Sequence, residues 1–385
     1  MTFPFEALRR RPDLEGPGLV ASDAADRLIL DESATARAGI GAGELVVIGD
    51  AYGALALASA HDGAADVRVH QDALTGERAL AANAAALGLD TRVRSMAADA
   101  DLLRGARVVL LRLSRSLDAL GEIAALIAAH AEPDVVVFAG ARIKHMSLAM
   151  NDVLRAHFDT VDVTHARQKS RVLIARGPHP APAGHDPVPD AAAVTIDTGR
   201  GDAAPPLEVR AFGGAFAGAR VDLGTRLLLR HLPERPPGGA EDDPWIDMAC
   251  GTGVVGALLA SRHPSAQVYA SDQSATAVAS ARATAEANGL GERMHVVRDD
   301  MLSARPDASA SFIALNPPFH SGAAVTGDLA PRLFADAARV LRPGGELWCV
   351  WNSPLRYRPV LERLVGPTRQ IARDRRFTVT ASTRR

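Results

Sequence analysis

Asp247-Met248-Ala249-Cys250-Gly251-Thr252-Gly253 decides the fold: an apolar strand near 245 to 249 runs into it, and the helix Val254 to Ser261 opens from it. Glycines suit such a turn, because a Cβ would block the approach of a ligand to the backbone and the N–H groups of the helix start face that ligand. Asp272 closes the next strand, Gln267 to Ser271, about 20 residues after Gly251. A carboxylate there can bind both hydroxyls of a ribose. Working outward, a helix near Leu223 to Leu232 precedes the turn, and further strands are predicted near 294 to 297, 311 to 315 and 345 to 351, with helices between them. Gln370-Ile371-Ala372 and Phe377-Thr378-Val379-Thr380 alternate and close the chain as an antiparallel hairpin at one sheet edge. The pattern predicts an α/β, Rossmann-like, mostly parallel sheet.

The same pattern occurs twice. Val46-Val47-Ile48-Gly49 lies onto Ile246-Asp247-Met248-Ala249, Gly53 onto Gly253 and Asp72 onto Asp272, which reads as internal duplication. Two unrelated alanine-rich domains would also align in part, through composition alone. From Gly177 to Pro206 the chain turns to Pro, Gly, Ala and Asp, a linker composition. The expected organisation is a first domain at 1–177, a linker at 178–206 and a second domain at 207–385. The chemical residues are not duplicated: Val47 stands for Asp247, Ala51 for Gly251, and Leu113-Ser114-Arg115-Ser116 falls about where Asn316-Pro317-Pro318-Phe319 would be. The first copy reads as a scaffold without a working site.

Asn316-Pro317-Pro318-Phe319 follows the apolar strand Ser311 to Leu315, at the carboxyl end where open α/β sheets bind ligands. Asn-Pro and Pro-Pro also mark ordinary turns. Placed after a strand and downstream of the glycine loop, the tetrad instead offers an amide oxygen, a carbonyl and an aromatic face to a planar group bearing an NH2. Gly251-x-Gly253-x-x-Gly256 also satisfies the dinucleotide fingerprint, so a nicotinamide-dependent oxidoreductase competes. Asp247 ahead of the glycines, the tetrad and the closing hairpin weigh against it. Asp247 suits an ammonium, held directly or through water, and so favours S-adenosylmethionine over a pyrophosphate; the lesser alternative, taken alone, is an acid that caps a helix. Asp300 follows the third strand and could accept from an adenine amino group, with Asp299 the weaker candidate.

With 385 residues, 47% of them hydrophobic, there is material for about two domains. The two cysteines are too few for a disulfide framework or a zinc site and fit a reducing compartment, so the cytoplasm is expected. A net charge of -2 gives no overall basic footprint. The stretch from Trp351 to Arg385 nevertheless holds nine arginines against Glu362 and Asp374, either a phosphate-touching surface or a solvated hairpin.

These residues resemble class I S-adenosylmethionine-dependent methyltransferases, and among them the bacterial ribosomal RNA guanine-N2 methyltransferases. The likeness spans nearly the whole chain and is carried by Phe216, Val221-Asp222-Leu223-Gly224-Thr225-Arg226-Leu227-Leu228-Leu229, Cys250-Gly251-Thr252-Gly253, Asp272 and Asn316-Pro317-Pro318-Phe319-His320. Gly49-Asp50-Ala51-Tyr52-Gly53-Ala54-Leu55 and Ala139-Gly140-Ala141-Arg142 look more like the type acting on large-subunit 23S RNA than the 16S type. The resemblance implies two tandem Rossmann-like methyltransferase domains, the first degenerate and RNA-positioning, the second catalytic. It implies S-adenosylmethionine at Asp247, Gly251, Gly253, Asp272 and Asp300, and catalysis by Asn316, Pro317 and Phe319. Pro318 and His320 fall on the substrate side, His320 as a packing or hydrogen-bonding group rather than a proton acceptor. The implied partner is ribosomal RNA, bound by a monomer that needs neither membrane nor metal. Ala217, where the family tends to have Ser, the Pro-rich linker and the near-neutral charge depart from the pattern. Adenine N6 or glutamine N5 methylation, and a non-catalytic RNA-binding factor, stay open as alternatives.

Overall fold

The structure, a computed structural model, describes residues 2–179, 187–199, 206–318 and 323–385. It divides into two units, Met1–Val188 and Pro189–Arg385. The first runs α1 (Ala24–Arg37), β1 (Leu45–Ile48), α2 (Ala54–His61), β2 (Val67–His70), α3 (Leu74–Leu87), β3 (Val93–Ser95), α4 (Ala100–Leu103), β4 (Val108–Arg112), α5 (Leu117–His130), β5 (Val136–Arg142), α6 (Ala149–Arg155), β6 (Phe158–Val163) and β7 (Ser170–Pro178). The second runs β8 (Asp190–Val194), β9 (Leu207–Ala211), α7 (Leu223–His231), β10 (Trp245–Met248), α8 (Val254–Arg262), β11 (Val268–Asp272), α9 (Ala275–Ala287), β12 (Met294–Arg298), β13 (Ala310–Leu315), α10 (Ala323–Val340), β14 (Leu341–Asn352), α11 (Arg358–Leu364), β15 (Thr368–Arg373) and β16 (Phe377–Thr383).

The two sheets share one strand order, β3-β2-β1-β4-β5-β7-β6 and β12-β11-β10-β13-β14-β16-β15. Five strands of each are parallel, and the last two form the antiparallel edge. The central strands are mostly apolar because helices cover both faces, with Asp247 on β10 an exception; Phe312, Ile313, Ala314 and Leu315 of β13 are all fully buried.

Register corrects one alignment. Val46 pairs with Val109 in the first sheet and Ile246 with Ile313 in the second. Arg112, not the Leu113–Ser116 stretch, therefore stands at the position of Asn316. A shorter connection in the first unit displaces the chain in a way that sheet pairing reveals and a linear shift does not.

The expected linker is also partly ordered: Asp190–Val194 forms β8, antiparallel to β9. Its alanines lie between the proline clusters and escape a reading based on composition. β9 is held on its other edge by α9. The N–H groups of Glu208, Arg210 and Phe212 donate to Asn288 Oδ1, Thr284 Oγ1 and Ser280 Oγ, each at 3.0 Å. Four residues of helix rise about 6 Å and two residues of strand about 6.6 Å, so the two ladders stay in step. Among the described residues no helix is long and apolar enough to cross a membrane.

Candidate active site

The strand order reverses at β10, whose neighbours are β11 and β13, so a crevice opens between the carboxyl ends of β10 and β13. Asp247, on β10, is only 3% exposed. Its Oδ2 accepts from the Gly256 N–H at 2.8 Å, in the first turn of α8. Burial, with the nearby Asp272 charge adding to it, pushes its pKa up to about 8. The helix-capping role that Asp247 could have on sequence grounds is thus present in the structure.

The glycines that follow serve different ends. Gly251 has φ +54, and a Cβ there would meet nothing within 4 Å. Its N–H donates to Asp272 Oδ2 at 3.0 Å, while Asp272 Oδ1 accepts from the Ser274 N–H at 3.0 Å at the head of α9. Gly253 has φ +76, and a Cβ would lie 2.8 Å from Met294 Cε and 2.9 Å from Ala281 Cβ. Close packing of α8 on α9 and β12, rather than ligand access, requires Gly253. Gly256 faces Met294, Val268 and Asp247 in the same way. Of the two acids after β12, Asp299 is buried and occupied by Ser303 Oγ and the Ala304 N–H, leaving Asp300 as the half-buried one.

Asn316 leaves β13 half-buried. Its Nδ2 donates to Thr225 Oγ1 at 2.9 Å and to Asp222 Oδ2 at 3.2 Å. Its Oδ1 accepts from no group among the described residues. A cavity of about 50 Å³ collects Asn316, Asp247 and Gly251 with Asp222, Thr225 and the exposed Phe216. Gly253, Asp272, Asp300, Pro317 and Pro318 do not line it, although Asp272 reaches it through its bond to Gly251. Pro317 is buried and Pro318 exposed; Phe319 and His320 lie outside the described residues. Sequence reasoning assigns no role to Asp222 and Thr225, though an Asp heading an apolar helix is a recognisable cap signal.

The first unit fills the same place from within. Arg112 donates to Asp23 Oδ1 at 3.1 Å and approaches Asp26 Oδ1 at 3.0 Å. Asp50, at the position of Cys250, is buried, accepts from the Leu55 and Ala56 N–H groups, and is pushed up to about 7 chiefly by desolvation. A Cβ on Gly76 would fall 2.6 Å from the Ala51 carbonyl oxygen, so this loop is packed onto α3 where its counterpart at Gly251 stands open.

A sheet of this order, with an acid and a glycine turn after its first strand and Asn-Pro-Pro after its fourth, is that of a class I methyltransferase. Residues 206–381 match the Methyltransferase small domain family and residues 2–179 the RLMG N-terminal domain family. The chain is 34% identical to ribosomal RNA large subunit methyltransferase G of Streptomyces coelicolor, with 98% of each chain covered. It is 33% identical to the protein of that name from Pseudomonas aeruginosa, covering 98% of this chain and 97% of the other. It belongs to the ribosomal RNA large subunit methyltransferase G family. Among solved structures, a T. thermophilus 16S rRNA N2 G1207 methyltransferase, determined with AdoMet and guanosine, shares the fold over 100% of both chains at TM-score 0.76 and 22% identity.

Proposed function

We propose that this chain transfers a methyl group from S-adenosylmethionine to the exocyclic N2 amine of a guanine in large-subunit ribosomal RNA, acting as a single chain in the cytoplasm. The observation that carries the reading is the meeting of Asn316 with Asp247 and Gly251 in one cavity at the switch point of the second sheet. The names of the relatives favour the large subunit. The choice of guanine follows the resemblance of the stretch from Asn316 to His320.

The residues present fit the cofactor. Gly251 leaves open space at a positive φ, Asp272 is fixed on that loop as an acceptor for ribose hydroxyls, and Asp247 is a buried acid able to ionise against an ammonium. The cofactor supplies a methyl on a sulfonium, and the electron pair of the broken C–S bond stays on sulfur. The chain's task is alignment of the amine behind that methyl. The guanine amine is a poor nucleophile because its lone pair is delocalised into the ring. Asn316 Oδ1 and the Pro317 carbonyl each accept one N–H, drawing the nitrogen toward tetrahedral geometry and localising the pair. These bonds strengthen as the nitrogen gains positive charge, so they favour the transition state over the ground state. The surplus proton on nitrogen then leaves to water. Phe319 stacking on the base would contribute about 1–3 kcal/mol. A paired base hides its amine, so the target is unpaired or flipped out.

Incubation with labelled S-adenosylmethionine and deproteinised ribosomal RNA, followed by nucleoside analysis, is expected to give N2-methylguanosine in 23S RNA. Label confined to 16S RNA, to adenine N6 or to protein would overturn the assignment. Asn316→Ala is expected to lower turnover by at least about 100-fold while RNA affinity is retained.

A further inference from the structure

We propose that Asp222 and Thr225, at the start of α7, are positioning residues: they fix the side-chain amide of Asn316 so that Oδ1, and not the NH2 group, faces the amine to be methylated. The inference rests on the reading of Asn316 given above and deepens it.

An Asn side chain presents an acceptor at one end and two donors at the other, and the two ends have nearly the same size. A substrate amine needs the acceptor. Flipped by 180°, the amide would set NH2 against NH2, and the tetrad would repel the group it has to hold. Something must therefore decide which end points outward. Thr225 Oγ1, 2.9 Å from Asn316 Nδ2, cannot decide alone, because a hydroxyl both donates and accepts. The Asp222 carboxylate, with Oδ2 at 3.2 Å, can decide, because it only accepts. Its negative charge also polarises the amide, leaving Oδ1 a stronger acceptor as the amine acquires positive charge.

The orienting carboxylate is itself fixed. Asp222 caps α7: Oδ1 accepts from the Gly224 N–H at 2.8 Å and from the Thr225 N–H at 3.3 Å. Leu228 and Leu229, both buried, anchor the helix that carries it. The chain of restraint runs from core to helix, from helix cap to amide, and from amide to the outward oxygen.

The first unit holds a counterpart of the same three positions. Asp23 caps α1, accepting from the Ala25 N–H at 2.7 Å. Asp26 stands where Thr225 stands, three residues after the cap, and Arg112 at the end of β4 is paired with both. A donor from the fourth strand reaching the cap of the leading helix is thus common to both sheets. Arg112, however, carries donors only and offers no acceptor outward. The tie between strand and helix belongs to the fold; with Asn in place of Arg it also leaves an oxygen facing the cavity.

The full-length protein and four variants test this, with kcat and KM on ribosomal RNA, calorimetric cofactor affinity and the thermal midpoint measured for each. Asp222→Asn keeps an oxygen for the α7 cap but turns an NH2 toward Asn316. It is expected to lower kcat roughly 10- to 100-fold, with cofactor Kd and midpoint near wild type. Thr225→Val removes the second acceptor and is expected to lower kcat less, and Thr225→Ser to restore it. Wild-type kcat in Asp222→Asn would overturn the proposal, and wild-type kcat in Thr225→Val would remove Thr225 from it. Losses of kcat that track loss of midpoint, or that Thr225→Ser fails to restore, would overturn it as well. Asn316→Ala separates the two levels: full turnover there removes the parent reading, whereas an inactive Asn316→Ala beside a fully active Asp222→Asn removes only this one.

Discussion

At Asp247 one buried carboxylate holds the start of α8 and, in the proposed function, also receives an ammonium, two tasks that set different demands on its charge. Desolvation is the largest influence on it, the Asp272 charge acts in the same direction, and the folded pKa rises from 3.8 to about 8. The native state therefore binds this proton more tightly than the unfolded chain. Its contribution to stability is fully present below the unfolded value of 3.8, declines as pH rises toward about 8, and levels off beyond it. Asp247→Asn keeps an acceptor for the Gly256 N–H and has no charge to bury. The free variant is expected to be more stable than wild type at pH 8 and equal to it near pH 4, as thermal midpoints in buffers across that range would show. Asp50, raised to about 7, leaves a residual slope from the first unit. An unchanged slope in the variant would show that Asp247 is not buried in its charged form at high pH. An ammonium beside the carboxylate reverses the preference, so cofactor uptake below pH 8 should release a proton, and affinity should rise as pH increases from 6 to 8. Calorimetry in two buffers of different ionisation enthalpy reads that proton; its absence in wild type would remove Asp247 from the ammonium site.

At the scale of elements, the turn from β10 to α8 was legible as a glycine turn, but the separate purposes of its glycines were not. Strand and helix limits follow from apolar runs bounded by Gly and Asp, and the helix expected from Val254 to Ser261 ends at Arg262. The neighbours that a Cβ would strike come from α9 and β12, remote in sequence, which no local pattern encodes. The same blindness to remote partners hid β8, whose alanines have weak strand preference until β9 pairs with them, and hid the match of Arg112 with Asn316, which is a matter of register. The distinction is measurable. Gly251→Ala places a side chain at φ +54 in open space, so it should destabilise by about 1–2 kcal/mol while weakening cofactor binding strongly. Gly253→Ala adds a clash with Met294 and Ala281 to the strain of φ +76, and should destabilise by roughly 2–5 kcal/mol. Chemical denaturation and cofactor titration of both variants check this; equal loss of affinity with equal loss of stability would refute the division of roles.

For the whole molecule, a net charge of -2 hides where charge is placed, and the structure sorts the arginine-rich end that the sequence left ambiguous. Arg384 donates to the Arg339 and Leu341 carbonyls, Arg369 bonds to Glu346 and Arg358 to Glu362, so these three serve the fold. Arg373, Arg375 and Arg376 are exposed and have no carboxylate partner among the described residues. Pairing of Phe377 with Asn352 sets the turn that bears them beyond the carboxyl end of β14. Pairing of Leu315 with Cys349 sets Asn316 at that same edge of the sheet. If the target base enters at this rim, as the proposed function requires, guanidinium groups there would neutralise phosphates flanking it. Each such contact with single-stranded RNA contributes about 0.7 to the slope of log K against log salt. The triple replacement of Arg373, Arg375 and Arg376 by Gln is therefore expected to weaken RNA binding and to lower that slope by roughly 2, with cofactor affinity and thermal midpoint unchanged. Binding measured across a series of salt concentrations decides it: an unaltered slope would mean that this edge faces solvent in the complex and that the RNA is held elsewhere on the chain.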